Sequence, residues 1–249
     1  MNVRHALVAL GLTALLAGAR AADPAVAAAQ DPPGAAARDV VHLPARTVTI
    51  GSEAAPDEQP AHTVSLPAFD IDRREVRLEA FHHVSSGGTG AGPDHPVVGV
   101  SFEQASAYCA AQGGRLPTEE EWERACKSTT GGPYAWGEGA SEHAAWWEEE
   151  RYGKYGLLPG ITTTPRSDPS THTPEGVEDL TGSVWEWTSS RYHRDSYRDP
   201  GAAAASPWRV IRGGSFANLP SYATCSHREP ARPDEPRLTL GFRCVYPSP

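Results

Sequence analysis

Four cysteines, Cys109, Cys126, Cys225 and Cys244, carry the most reactive atoms of the chain. As thiolates they would serve as nucleophiles or as ligands for a soft metal. As disulfides they would only brace the fold. Four cysteines in an exported chain suggest two disulfides, with three possible connectivities. The apolar, helical setting of Cys109 and Cys126 argues against reactive thiols. Histidine is the next candidate, with ten in the chain. His82, His83, His172, His193 and His227 are scattered, with no i, i+4 pair and no recognised metal spacing. They read as surface or core residues, and the alternative is a non-haem iron site that they assemble across the fold. Trp136, Trp146, Trp147, Trp185, Trp187 and Trp208 would line a groove or fill the core. Arg212 has the planar donors to orient loops. The Glu148-Glu149-Glu150 run reads as a solvated face.

The N-terminus decides the redox setting. Met1 to His5 is a short basic segment, and Ala6 to Ala19 is an apolar and small-residue run. Ala19-Arg20-Ala21 then offers the small–x–small pattern of a signal peptidase site. The run is too short to span a bilayer, which takes about 20 apolar residues. Residues 1–21 are therefore read as a Sec-type signal peptide, and the product as periplasmic or secreted. Residues 22–39, rich in Ala, Pro, Gly and Asp, read as a disordered linker. Residues 40–249 remain for one domain. With 24 Gly and 23 Pro in 249 residues, well above average usage, that domain must be loop-rich. A formal net charge of −9 argues against nucleic acid as a partner.

Two helices have written start signals. Ser101-Phe102-Glu103-Gln104 and Thr118-Glu119-Glu120-Glu121 are capping boxes. Phe102, Ala105, Tyr108 and Cys109 share one face of the first helix, which Gly113-Gly114 ends. Trp122, Ala125 and Cys126 form the expected buried face of the second. Arg46 to Ile50, His62 to Leu66, Val184 to Trp187 and Trp208 to Ile211 are predicted strands. The 137–178 stretch shows little periodicity and reads as a long loop of unassigned role.

Four stretches, in this order, carry a resemblance to a known family. They are Pro60-Ala61-His62-Thr63-Val64 with Phe69-Asp70-Ile71-Asp72; His95-Pro96-Val97-Val98-Gly99-Val100-Ser101 running into Gly113-Gly114-Arg115-Leu116-Pro117-Thr118-Glu119-Glu120-Glu121-Trp122; Asp179-Leu180-Thr181-Gly182-Ser183-Val184-Trp185-Glu186-Trp187; and Arg212-Gly213-Gly214-Ser215-Phe216 closed by Gly241-Phe242-Arg243-Cys244. Together they resemble the formylglycine-generating enzyme, or sulfatase-modifying factor, family. The resemblance implies a single α+β domain related to C-type lectins, poor in regular structure. His62 and His95 then belong to framework motifs. In its best-known members the family implies copper-dependent oxidation of a sulfatase cysteine. It also includes sulfoxide synthases and a periplasmic enzyme of pyoverdine maturation, and the scaffold also serves ligand binding.

Residue by residue, the resemblance implies the nested disulfides Cys109–Cys244 and Cys126–Cys225. It implies a calcium loop with ligands from Asp179, Gly182, Val184 and Glu186. The family's second calcium loop has no convincing match near His143 to Trp147. The positions of the family's copper cysteines fall on Asn218 and Ala223, so copper is not expected. The reading is an exported binding or accessory module, expected to be a monomer, with a protein, peptide or small-molecule ligand. The alternative is an exported oxidase or tautomerase using another metal, such as non-haem iron, and a true formylglycine-generating oxidase is the weakest reading. The export call predicts that N-terminal sequencing of secreted protein starts at Ala22. An intact Met1 on a cytoplasmic product would overturn it.

Overall fold

Ser101 and Thr118 start their helices as expected. The computed structural model describes residues 38–139 and 171–248, with the side chain of Pro220 excepted. These belong to a compact unit that begins at Arg38. The calls on Trp146, Trp147, His143 and Glu148 to Glu150 lie outside the described residues. A five-residue helix, α1 (Leu78–His82), precedes the two longer ones. At the start of α2 (Phe102–Ala111) the Gln104 amide donates to Ser101 Oγ at 3.2 Å, and the Ser101 amide donates to Gln104 Oε1 at 2.9 Å. At the start of α3 (Glu119–Lys127), Thr118 and Glu121 make the same reciprocal pair at 3.2 and 2.9 Å. Gly113, at φ +76°, turns the chain out of α2.

Nine strands are present among the described residues, in three sheets. β1 (Val40–Leu43), β4 (Phe69–Asp72) and β9 (Val245–Pro247) form an antiparallel sheet, with Val41 opposite Ile71 and Ile71 opposite Val245. It ties the beginning of the domain to its end. β2 (Arg46–Ile50) and β3 (His62–Leu66) pair antiparallel, with the expected boundaries. β5 (Trp185–Arg191), β6 (Arg209–Arg212), β7 (Glu229–Ala231) and β8 (Leu240–Gly241) form the third sheet, in the order β7-β6-β5-β8. β5 and β6 each start one residue later than predicted, and β5 ends four residues later. Among the described residues no helix is long and apolar enough to cross a membrane.

Two apolar clusters fill the interior, and each contains one disulfide. Phe81, Tyr108, Trp187 and Phe242 surround Cys109–Cys244. Leu43, Ile71, Trp122 and Leu180 surround Cys126–Cys225. The expected face of α3 is buried, and the burial extends beyond it. Trp122, Ala125 and Cys126 are buried, but so are Glu119, Glu121, Glu123, Arg124 and Lys127. The helix is covered all round because partners reach its charged face. Glu123 meets Arg212 at 2.9 Å and Lys127 at 2.7 Å, and Glu119 meets Arg228 at 2.8 Å. Buried charges need such partners.

Both disulfides span Cα separations of 5.5 Å and close sequence intervals of 135 and 99 residues. No cysteine is free. Intervals this long restrict the unfolded chain strongly. Replacing either pair by alanine is expected to cost about 2–5 kcal/mol in urea unfolding. Non-reducing peptide mapping should return these two linked pairs, and a Cys109–Cys126 peptide would overturn the pairing.

Candidate functional site

The 179–186 loop is built on left-handed turns. Asp179 has φ +60°, Gly182 +98° and Ser183 +57°. Only glycine takes such values without steric cost, and short polar side chains tolerate them best. The turns bring the loop against the Arg-Gly-Gly-Ser segment. The Gly182 amide donates to the Gly213 carbonyl at 2.8 Å, and the Phe216 amide donates to the Ser183 carbonyl at 2.9 Å.

Glu186 lies on β5 opposite Arg212 of β6 and is fully buried. Its carboxylate receives three hydrogen bonds. Arg243 Nε and Trp122 Nε1 both donate to Oε2 at 2.8 Å, and Arg243 Nη2 donates to Oε1 at 2.8 Å. Burial disfavours the Arg243 cation, but Glu186 overrides it and holds the guanidinium above its ordinary range. Glu75, also buried, comes within 4.0 Å of Arg243. Among the described residues its Oε1 has no hydrogen-bond partner. Burial first, and then the charge of Asp179, pushes the Glu75 carboxyl well above the usual range. Of the four residues expected to hold calcium, Gly182 and Val184 offer backbone carbonyls, Asp179 a carboxylate, and Glu186 a carboxylate shared with Arg243. Among the described residues, no three His, Cys, Asp or Glu side chains converge as a metal-binding group.

Asn218 follows the Arg-Gly-Gly-Ser segment. Ser215 Oγ donates to its Oδ1 at 2.6 Å, and Trp185 Nε1 donates to the same atom at 2.9 Å. An indole N–H can only donate, so the amide oxygen must face it. Ala223 ends a 3₁₀ turn (Pro220–Ala223) and is fully buried. Gly214, at φ +70°, lies beneath it. A Cβ there would sit 3.0 Å from the Tyr222 carbonyl and 3.1 Å from Ala223 Cα. The second glycine of the motif thus permits the close approach that seats Ala223.

His227 borders this segment. Its ring lies 5.9 Å from Trp185 and 5.1 Å from Tyr222, centroid to centroid. Nδ1 is 3.6 Å from Glu58 and Nε2 is 3.4 Å from Glu229. Burial lowers its pKa, but the Glu229 and Glu58 carboxylates win and raise it to about 9. The two carboxylates thus favour the imidazolium form at neutral pH, with Nε2 donating to Glu229. In the sequence His227 is one of several scattered histidines. Its signal, the His-Arg-Glu run ending in Glu229, names only one of its two carboxylates. Glu75 belongs, with Val76, to the first motif stretch, but a lone acid beside Arg74 carries no sequence signal of burial.

The remaining calls sort by burial. Trp185 and Trp187 are core, while Trp208 is 36% exposed. Trp136 stacks on Tyr134 at 5.0 Å. His62 Nδ1 donates to the Pro60 carbonyl at 3.0 Å, and its ring meets Tyr197 edge-on. Arg212 does orient loops. It donates to the Cys225 and His227 carbonyls, to Glu119 and Glu123, and to the Tyr197 hydroxyl.

Comparison with known proteins places this geometry. The chain is 36% identical over 177 residues to the formylglycine-generating enzyme of Streptomyces coelicolor, covering 61% of this chain and 53% of that protein. It is 35% identical over 167 residues to a Bos taurus protein named inactive C-alpha-formylglycine-generating enzyme 2, covering 61% and 50%. The chain thus spans about half the length of these curated relatives. Treponema denticola variable protein 1 shares the fold, with a TM-score of 0.68 at 23% identity over 83% of this chain and 94% of that one. So does PvdO from Pseudomonas aeruginosa, with a TM-score of 0.64 at 22% identity over 87% and 99%. The model of the sulfatase-modifying factor enzyme 1-like domain matches residues 26–247, and the chain belongs to that family.

Proposed function

We propose that this is an exported family member that binds a ligand on the shared scaffold and does not carry out copper-dependent cysteine oxidation. One observation carries the reading. The positions matched to the family's copper cysteines hold Asn218, whose oxygen is already engaged by Ser215 and Trp185, and a buried Ala223. Cu(I) is selected by soft thiolates, and an amide and a methyl group do not replace them. All four cysteines are consumed in disulfides. These residues do not fit copper, and no copper step is assigned to them. That one relative at 35% identity is itself named inactive agrees with this reading.

The test is a sulfatase-type Cys-x-Pro-x-Arg peptide incubated with the protein, copper, oxygen and reductant. Mass spectrometry should show the cysteine unchanged. Conversion of its thiol to an aldehyde, absent in a Cys225→Ala control, would refute the reading and restore an oxidase.

Calcium belongs to the same proposal. Asp179, Glu75 and Glu186 all lie within electrostatic reach of Arg243, and among the described residues a buried oxygen of Glu75 lacks a hydrogen-bond partner. That is an environment for a second hard cation. Asp179, Glu186 and the carbonyls of Gly182 and Val184 would hold it, and it would fix the left-handed turns of the loop. Chelation is expected to lower the melting temperature, by an amount set by affinity and free calcium. Asp179→Asn, which keeps a side chain that tolerates positive φ, should abolish that sensitivity. Identical melting with calcium and with chelator would remove calcium from the account.

A further inference from the structure

A cleft of about 500 Å³ opens at one end of the third sheet. Tyr192 enters it just after β5, Trp208 just before β6, and Glu229 begins β7. Asp57, from the loop between β2 and β3, forms the opposite wall. His227 lines the cleft and also packs against Trp185, the residue that donates to Asn218. The cleft therefore adjoins the segment after the Arg-Gly-Gly-Ser motif. Its volume lies in the usual range for small-molecule sites.

Most of its charges have partners inside the protein. Asp57 accepts from the Tyr192 hydroxyl at 2.9 Å. Arg228 is committed to Glu119 through two contacts of 2.8 Å. Glu229 faces His227 at 3.4 Å, and His193 faces Asp195 at 4.0 Å. Arg194 differs. Among the described residues it makes no ion pair and no hydrogen bond. It shares the lining of the cleft with two aromatic residues, Tyr192 and Trp208, the second of which is 36% exposed. A guanidinium is built for a carboxylate, which it grips with two parallel hydrogen bonds. An exposed indole at a concave wall is built for a flat apolar group. The protein as a whole carries −9, so long-range attraction does not explain an anion here. A local cation would.

We propose that this cleft binds an aromatic carboxylate, such as the C-terminal residue of a peptide, with the carboxylate on Arg194 and the ring against Trp208 and Tyr192. The inference deepens the binding reading and rests on it. The oxidation assay reads copper chemistry and a titration reads occupancy of the cleft, so either can fail alone. The probes are N-acetyl-L-tryptophan, which carries the carboxylate, and N-acetyl-L-tryptophan amide, which does not. Backbone amide NMR of the mature protein should show saturable shifts from the acid at 192–194, 208 and 227–229. The amide should bind on the order of tenfold more weakly, as loss of one charge-assisted contact implies. Arg194→Gln should bring the acid down to the level of the amide and leave the amide unchanged. Trp208→Ala should weaken both. Arg194 is exposed, so its variant should fold, and retained peak dispersion checks this. No saturable shift at the cleft, equal binding of the two probes, or an Arg194→Gln variant that binds the acid normally would each overturn the proposal.

Discussion

The pairing of Glu186 with Arg243 holds the domain's parts in one register. Glu186 belongs to β5, Arg243 to the C-terminal segment, and Trp122, which adds the third hydrogen bond, to α3. Arg243 also donates to the carbonyls of Asp72, Arg73 and Glu178. One guanidinium thus links the end of β4, the entry to the 179–186 loop, and β5. Both partners are buried. Removing either would leave an uncompensated charge in the interior, a change that costs about 3–5 kcal/mol in comparable cases. Replacing both with apolar groups would remove the charges but leave those three carbonyls and the Trp122 indole N–H without partners, so the pair cannot be exchanged cheaply.

The same device recurs because of what the fold lacks. Short strands leave long stretches of backbone without ladder partners, and buried carbonyls must be satisfied somehow. Cationic side chains do it. Arg212 serves Cys225 and His227, Arg228 serves Asp57, Lys127 serves Thr49 and Gly51, and Arg46 serves Ser128. Each cation then needs a carboxylate, which explains why α3 carries Glu119 and Glu123 into the interior. The high glycine and proline content, the buried acids of α3 and the arginines near the C-terminus are one architectural solution.

Local signals in the sequence were readable where the physics is local. Capping boxes name their own first turn, so α2 and α3 were legible from Ser101 and Thr118. The β2–β3 pair alternates and is bracketed by prolines. β1, β4, β7, β8 and β9 were not legible. At two to four residues each they carry no period, and their partners lie far off in sequence, as Val41 and Val245 do on either side of Ile71. The charged interior was illegible for a related reason. Glu123 and Arg124 look like a solvated face until Arg212 and Glu175 are placed beside them. The site divides in the same way. Asn218 and Ala223 could be found by counting from a motif. The charge state of His227 could not, because it depends on Glu58, which reaches it from the loop between β2 and β3.

These constraints also explain how the segment after Arg-Gly-Gly-Ser can differ in chemistry without disturbing the fold. Its ends are pinned by other means. Phe216 is tied to the Ser183 carbonyl, Cys225 to Cys126 and to the Pro133 carbonyl, and Arg212 clamps the carbonyls of Cys225 and His227. None of these contacts involves the side chain of residue 218 or 223. Position 223 needs a small group that fits over Gly214, and alanine supplies it. Position 218 needs an acceptor for Trp185 and Ser215, and the asparagine oxygen supplies it. The side chains at 218 and 223 can therefore vary without loss of the fold, which arginines, disulfides and left-handed turns elsewhere secure.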